Sequence, residues 1–203
     1  MTAVQTPQRI TSLADLEAVR ARRAGAIALR QAEAVNLAEA PEVHILVCAG
    51  TGCQSNKSLN TVAALQQAVE DHGVADRVKV VPVGCFGFCR MGPVVVVYPG
   101  QTFYCEVQPQ HAPVIIQQHV LGGQPVEALL YAPNPREKHR IEKMMDQPFY
   151  KGQHRTALSH CGLINPECIE EAIAADRYFA LAKALLEMTP AQVIEEVKRS
   201  GLR

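Results

Sequence analysis

The sequence has no tryptophan, and aromatic residues fill only 5% of its 203 positions. A chain so poor in flat rings is badly equipped to stack nucleic-acid bases. It has no surplus of either charge: Lys+Arg and Asp+Glu number 20 each, for a formal net charge of zero. The basic excess or stripe of a nucleic-acid binder is therefore missing. No stretch approaches the ~18 unbroken apolar residues of a membrane-spanning helix. Residues 1–40 carry Arg9, Arg20, Arg22, Arg23 and Arg30 alongside Asp15, Glu17, Glu33 and Glu39, which leaves no room for the apolar core of an export signal. The expectation is a soluble, cytoplasmic protein with no membrane span and no nucleic-acid partner. No internal repeat is evident. No CxxC pair occurs, so a thioredoxin-type dithiol has little basis.

What the chain does have is apolar mass and sulfur. Hydrophobic residues make up 48% of it, enough for one compact domain with accessory helices. Seven cysteines in a reducing compartment are a poor disulfide framework and ask for metal or redox chemistry. Their placement depends on the elements between them.

Residues 11–38, rich in Ala, Leu, Glu and Arg, read as one or two helices that Thr11 or Ser12 caps. They suit a packing arm or a contact with a partner subunit. From Pro41 the texture changes: Val43–Val47 is a short β-rich run that ends at Cys48. A small-residue turn, Ala49 to Cys53, precedes a helix from about Ser58 to His72 with Leu59, Val62, Leu65 and Val69 on one face. A second strand, Val78–Val83, ends at the loop of Cys85; Val94–Tyr98 and Phe103–Val107 form a third and fourth around Pro99-Gly100. A helix over about Ala112–Leu121 closes at Gly122-Gly123. The order β-α-β-β-β-α, with a parallel first pair joined by a helical crossover and a terminal hairpin, is what a thioredoxin-like α/β fold requires. Residues 132–150 read as a polar, Pro-punctuated linker and 151–203 as a small helical segment. In the latter Asn165-Pro166 starts one helix and Thr189-Pro190-Ala191-Gln192 the last, with Ile194 and Val197 as its buried face and Gly201 as its C-terminal cap.

Four cysteines stand as Cys48-x4-Cys53 and Cys85-x3-Cys89, each pair following a strand. Loops at the carboxyl ends of adjacent parallel strands lie side by side, so four thiolates can converge. A 2Fe-2S cluster on four Cys ligands is formally doubly negative and becomes more so on reduction. Backbone N–H groups aimed at the sulfurs stabilise that charge. Gly50, Gly52, Gly84, Gly87 and Gly92 let the backbone come close, and Phe86 and Phe88 serve as walls. A zinc site on the same four thiols is the competing reading, although zinc knuckles favour CxxC. Cys105 reads as a small core residue in the fourth strand. Cys161 and Cys168, near His154 and His160, read as structural. His44 reads as a packed histidine in the first strand, Arg90 as a surface charge or a cation beside the cluster, and Val94–Val97 as a buried central strand.

The motifs Val47-Cys48-Ala49-Gly50-Thr51-Gly52-Cys53 and Gly84-Cys85-Phe86-Gly87-Phe88-Cys89-Arg90-Met91-Gly92-Pro93-Val94 resemble the thioredoxin-like 2Fe-2S ferredoxin module that accompanies the flavoprotein of NADH:quinone oxidoreductase. Tyr104–Leu121 and the following Gly122 to Glu127 resemble that module's end. Cys161 to Glu167, Tyr178 to Lys183 and Glu187 to Arg203 are similar to the opening of the flavin-bearing, NADH-binding subunit. The combination resembles the fused subunit of NAD(P)-linked and electron-bifurcating hydrogenases and of some formate dehydrogenases. The resemblance implies an N-terminal helical arm (1–40), a thioredoxin-like 2Fe-2S ferredoxin domain (41–131), the linker (132–150) and a helical segment (151–203). It implies one-electron transfer through a cluster on Cys48, Cys53, Cys85 and Cys89. In the family, the segment like Ser200–Arg203 runs into a Gly-rich loop that cradles flavin and nicotinamide phosphates. FMN and NAD(P) are therefore expected on a separate or missing remainder, with a flavin/NAD(P)H-binding domain or chain and other iron–sulfur subunits as partners. No substrate-converting site is expected in these residues. A zinc-stabilised subunit-docking module without redox activity is the alternative.

Overall fold

A computed structural model describes residues 9–32, 36–134, 136 and 138–202. The helical reading over residues 33–35, and the linker positions 135 and 137, lie outside the described residues. The chain forms two compact units, one drawn from residues up to Gly25 and from Cys168 onward, the other from Ala26–Glu167.

The larger unit is built on a sheet of β1 (Val43–Cys48), β2 (Val78–Val83), β3 (Val95–Tyr98) and β4 (Thr102–Tyr104), in the order β2-β1-β3-β4. β1 pairs parallel with β2 and antiparallel with β3, and β3 and β4 form the hairpin. This is the expected thioredoxin-like arrangement. β1 lies centrally, so all of its residues are buried, which is why the sequence reads there as an unbroken apolar run. Val94–Val97 are buried to 1% exposure or less, as a central strand demands.

Two boundaries and one buried position differ from expectation. Residues 51–55 of the small-residue turn coil into a short helix, α2 (Thr51–Ser55). The following helix, α3 (Ser58–Asp71), buries Val62, Leu65 and Val69, but Leu59 is 51% exposed. Leu59 sits at the rim of the stripe; Thr61 takes the buried place and donates from Oγ1 to the Val107 carbonyl at 3.1 Å. β4 ends at Tyr104 rather than Val107, because the backbone beyond it turns to other partners. The Cys105 N–H bonds to Leu129 O, the Glu106 N–H to Met91 O and the Val107 N–H to Pro93 O, with Glu106 at φ 51°. After it comes α4 (Ala112–Val114), which widens into a π-helix over Ile115–Leu121.

Ser58 Oγ and the Gln147 side-chain amide are buried in this unit without a hydrogen-bond partner among the described residues, but its two buried histidines are paired. The Arg30 Nε–H donates to His44 Nδ1 at 3.0 Å, and His44 Nε2 meets Glu42 at 3.1 Å. Burial, then the Arg30 charge, hold His44 below the usual imidazole value, and it is the packed histidine the sequence suggested. On the other side the Tyr104 hydroxyl pairs with His119 Nδ1 at 2.9 Å and accepts the Val126 N–H at 3.0 Å. Burial pushes His119 down to about 4. Since an unfolded histidine titrates near ~6.5, the unfolded chain takes up this proton first as pH falls. The stabilisation is thus complete above about pH 6.5 and is lost toward pH 4, with about 2 kcal/mol gone by pH 5. Urea midpoints at pH 7 and pH 5 check this: the drop should be clearly smaller in His119→Gln, which can still pair with the Tyr104 hydroxyl but does not titrate.

The smaller unit is helical. α1 (Leu13–Leu29) begins in it, with Asp15 accepting from the Thr11 and Ser12 N–H groups and Ser12 Oγ accepting the Asp15 N–H. Leu16 and Val19 of α1 pack with Ile173, and Arg20 stacks over Phe179 at 4.6 Å. Asn165 makes a turn, its side chain accepting the Glu167 N–H, and the helix α6 (Ile169–Ala174) starts only after Cys168, which caps it; a four-residue α5 (Pro148–Lys151) precedes it in the larger unit. α7 (Phe179–Leu186) follows. α8 (Pro190–Ser200) starts as expected, with the Thr189–Gln192 capping box, Pro190 at its first turn and Gly201 left-handed at its end. Ile194 and Val197 correct the sequence reading, for they are 56% and 55% exposed. Periodicity reports which face is apolar and not what covers it. Among the described residues, no helix is long and apolar enough to cross a membrane.

Candidate functional site

The sheet register brings the cysteine loops together. Cys48 is the last residue of β1 and pairs with Val83 of β2, two positions before Cys85. The Cys48 N–H donates to Val94 O and the Ala49 N–H to Val83 O, so the chain before Cys85, the chain after Cys89 and the Cys48 loop are stitched to one another. α2 then lifts Cys53 back over Cys48. The Cys48 and Cys53 thiols are near enough to shift one another's protonation, and Cys85 Sγ lies 3.7 Å from Cys89 Sγ. Two sulfurs on one tetrahedral metal with ~2.3 Å bonds stand ~3.8 Å apart. The two pairs adjoin: a Cβ placed on Gly50 would come within 2.9 Å of Cys85 Cβ, and one on Gly92 within 2.7 Å of Cys53 Sγ. The four thiols singled out by spacing are thus brought to one place.

Their surroundings are unequal. Cys48 and Cys53 are 2% and 1% exposed, whereas Cys85 is half-buried and Cys89 exposed. The Cys48–Cys53 hydrogen bond pushes the Cys48 thiol up, with burial adding to the rise, and holds Cys53 down at about 7. Backbone N–H groups face the sulfurs: those of Phe86 and Gly50 oppose the rise at Cys48, that of Val94 favours the thiolate of Cys53, and that of Gly87 donates to Cys85 Sγ at 3.2 Å. Such a set of amide donors suits anionic sulfur. Among the described residues, no three His, Cys, Asp or Glu side chains are gathered tightly enough for a single ion. Two neighbouring pairs with amide donors around them are a donor set that fits two bridged irons.

Phe86 packs, 2% exposed, in the apolar cluster that contains Cys48 and Cys53, and Phe88 joins its edge. Cys105 belongs to that cluster as a core residue, and burial, then Glu106, push its thiol up to about 12. Arg90 is exposed on the turn after Cys89. Cys161 is half-buried, its carbonyl accepting from Arg155 at 3.1 Å. Sequence reasoning missed Tyr150, which is 1% exposed and donates its hydroxyl to the Phe86 carbonyl at 3.1 Å. A tyrosine in a Pro-flanked polar stretch gives no signal of such a contact.

Comparisons with known proteins agree on one family. A profile of thioredoxin-like 2Fe-2S ferredoxins matches residues 8–119. A 2Fe-2S ferredoxin of Aquifex aeolicus is 47% identical over 51 residues, which span 25% of this chain and 46% of that protein. A 2Fe-2S ferredoxin of Clostridium pasteurianum is 31% identical over 97 residues, spanning 44% of this chain and 95% of that protein. The NADP-reducing hydrogenase subunit HndC of Solidesulfovibrio fructosivorans is 55% identical over 53 residues, 26% of this chain but only 11% of the subunit. Among solved structures, the thioredoxin-like 2Fe-2S ferredoxin of Aquifex aeolicus is 31% identical, covers 46% of this chain and 99% of that one, and superposes with a TM-score of 0.43. With the profile spanning more than half of its residues, the chain belongs to the thioredoxin-like 2Fe-2S ferredoxin family.

Proposed function

We propose that Cys48, Cys53, Cys85 and Cys89 hold the family's 2Fe-2S cluster, the first two on one iron and the last two on the other. The chain then passes single electrons within a multisubunit NAD(P)H-linked oxidoreductase of the soluble hydrogenase, electron-bifurcating or formate dehydrogenase kind. The observation that carries the ligand assignment is the meeting of the two pairs at neighbouring strand ends, with Cys85 and Cys89 already 3.7 Å apart. When bound, the cluster takes up and releases one electron. The residues around it decide from which side. Cys48 and Cys53 are sealed in the core, so exchange takes place over the exposed Cys85–Cys89 edge.

The hydrogenase subunit match supports the NAD(P)H-linked assignment, as does the sequence resemblance of parts of 151–203 to the start of a flavin/NADH-binding subunit. On this reading residues 41–131 are the ferredoxin domain, 1–40 its helical arm and 132–150 the connection. FMN and NAD(P) belong to another domain or chain. The partners are that flavin/NAD(P)H-binding piece and further iron–sulfur subunits, and the compartment is the cytoplasm.

Purified aerobically, the protein should be brown, with visible charge-transfer bands, two irons and two acid-labile sulfides per chain. Dithionite should produce a rhombic EPR signal. A colourless protein with stoichiometric zinc would instead establish the docking-module alternative and remove the redox reading.

A further inference from the structure

Tyr150 lies on α5, outside the residues that the family profile matches. Its ring packs against Phe149, Phe88 and Phe103 at 5.0, 5.9 and 6.0 Å between centroids. A phenol buried to 1% exposure needs a hydrogen-bond partner. It has one in the Phe86 carbonyl, 3.1 Å away. That carbonyl belongs to the same planar peptide unit as the Gly87 N–H. The N–H in turn donates to Cys85 Sγ at 3.2 Å. Gly87 adopts φ +89°, a conformation that side chains avoid, so the plane owes its direction to this turn. One peptide is thus held at both ends, by a phenol on its oxygen and by a thiol sulfur on its N–H.

We infer that Tyr150 is a positioning residue for the cluster: its hydroxyl fixes and polarises the Phe86–Gly87 peptide, strengthens the N–H bond to the Cys85 sulfur, and so raises the reduction potential. The inference rests on the ligand assignment proposed above. Serial hydrogen bonds polarise one another, and donors aimed at cluster sulfurs favour the more negative, reduced form. A role limited to packing has the opposite sign. Loosening the aromatic wall admits water, which also favours the more highly charged form and raises the potential.

EPR-monitored redox titration of the full chain separates the two. Tyr150→Phe keeps the ring and removes only the hydroxyl. It should bind as much iron as wild type and be reduced about threefold to tenfold less favourably, roughly 30 to 60 mV lower at 59 mV per tenfold for one electron. The exchangeable-proton hyperfine coupling of the Gly87 N–H should fall with it. Phe149→Leu, which trims the neighbouring ring and spares the hydrogen bond, should not lower the potential. An unchanged or raised potential in Tyr150→Phe overturns the inference. Should that variant fail to hold a cluster, 3-fluorotyrosine in place of Tyr150, a stronger donor of the same shape, must raise the potential; no rise overturns the inference equally. A wild-type protein that binds no iron refutes the ligand assignment instead.

Discussion

Cys85→Ser should abolish the visible bands and the EPR signal or displace both far from their wild-type positions, whereas Cys105→Ala and Cys168→Ser should leave them in place. The three thiols test different things. Cys85 stands 3.7 Å from Cys89 and receives the Gly87 N–H. A serine there must lose a far less acidic proton to act as a ligand, and its harder oxygen binds iron differently from sulfur. Loss of an outer-shell partner alone costs ~10- to 100-fold in metal affinity, so removal of a ligand should lower cluster content by at least ~10-fold. Cys105 shares the apolar cluster with Cys48 and Cys53 but is a protonated core thiol, held up at about 12 by burial. Trimming it to alanine weakens the fold without touching the site. Cys168 stands at the N-cap position of α6 in the helical unit. Iron content and EPR spin count per chain measure all three, and equal loss in Cys85→Ser and Cys105→Ala would mean that nearness had been mistaken for ligation.

How much of this was legible in the sequence depends on how local each signal is. β1 and β2 could be read directly, because Val43–Val47 and Val78–Val83 are short β-branched runs and each leads into a cysteine. The start of α8 was equally plain, since Thr189, Pro190 and Gln192 spell a cap whose physics lies within four residues. The four thiols could be grouped because strand ends do the grouping. Less local facts were misread or missed. Leu59 looked buried by spacing and is not; Ile194 and Val197 form an apolar stripe left more than half exposed among the described residues. α2 escaped notice because Gly and Thr are weak helix formers, and it is the pairing of Cys53 with Cys48 that makes the turn useful. Arg30 meets His44 across 14 residues, and Tyr150 reaches Phe86 across 64. No pattern in the intervening residues encodes either contact. The second arises when the chain after the sheet folds back on it: the Phe103 N–H bonds to Glu142 O and the Ile141 N–H to Tyr131 O, and this route carries Tyr150 to the Cys85 loop.

The same close approach makes Gly92→Ala the second large effect to expect. Gly92 has φ −76° and ψ 157°, which any residue adopts, so the backbone itself does not require glycine. The requirement comes from space. A Cβ at this position would stand 2.7 Å from Cys53 Sγ and 3.3 Å from Cys89 O. Ordinary contact between heavy atoms begins near ~3.5 Å, so something must move by close to ~1 Å. The loop around Gly92 is poorly placed to give way. Its N–H donates to Cys89 O at 3.1 Å, the Glu106 N–H holds Met91 O at 2.8 Å, and the Val107 N–H holds Pro93 O at 3.0 Å. The freer party is the Cys53 side chain, which can swing its sulfur to another rotamer and so leave Cys48. Overpacking of this kind costs about 1–3 kcal/mol, which the sheet and its buried helices should survive. Cluster content should suffer far more, because a sulfur turned away is no ligand. The expected result is a folded protein with near-normal circular dichroism and a several-fold loss of iron. Gly73→Ala, at a helix end with nothing within 4 Å of the new methyl, should retain full iron despite the strain of its positive φ. Full iron and an unshifted EPR spectrum in Gly92→Ala would show that Cys53 can yield without loss, and would remove it from the ligand set.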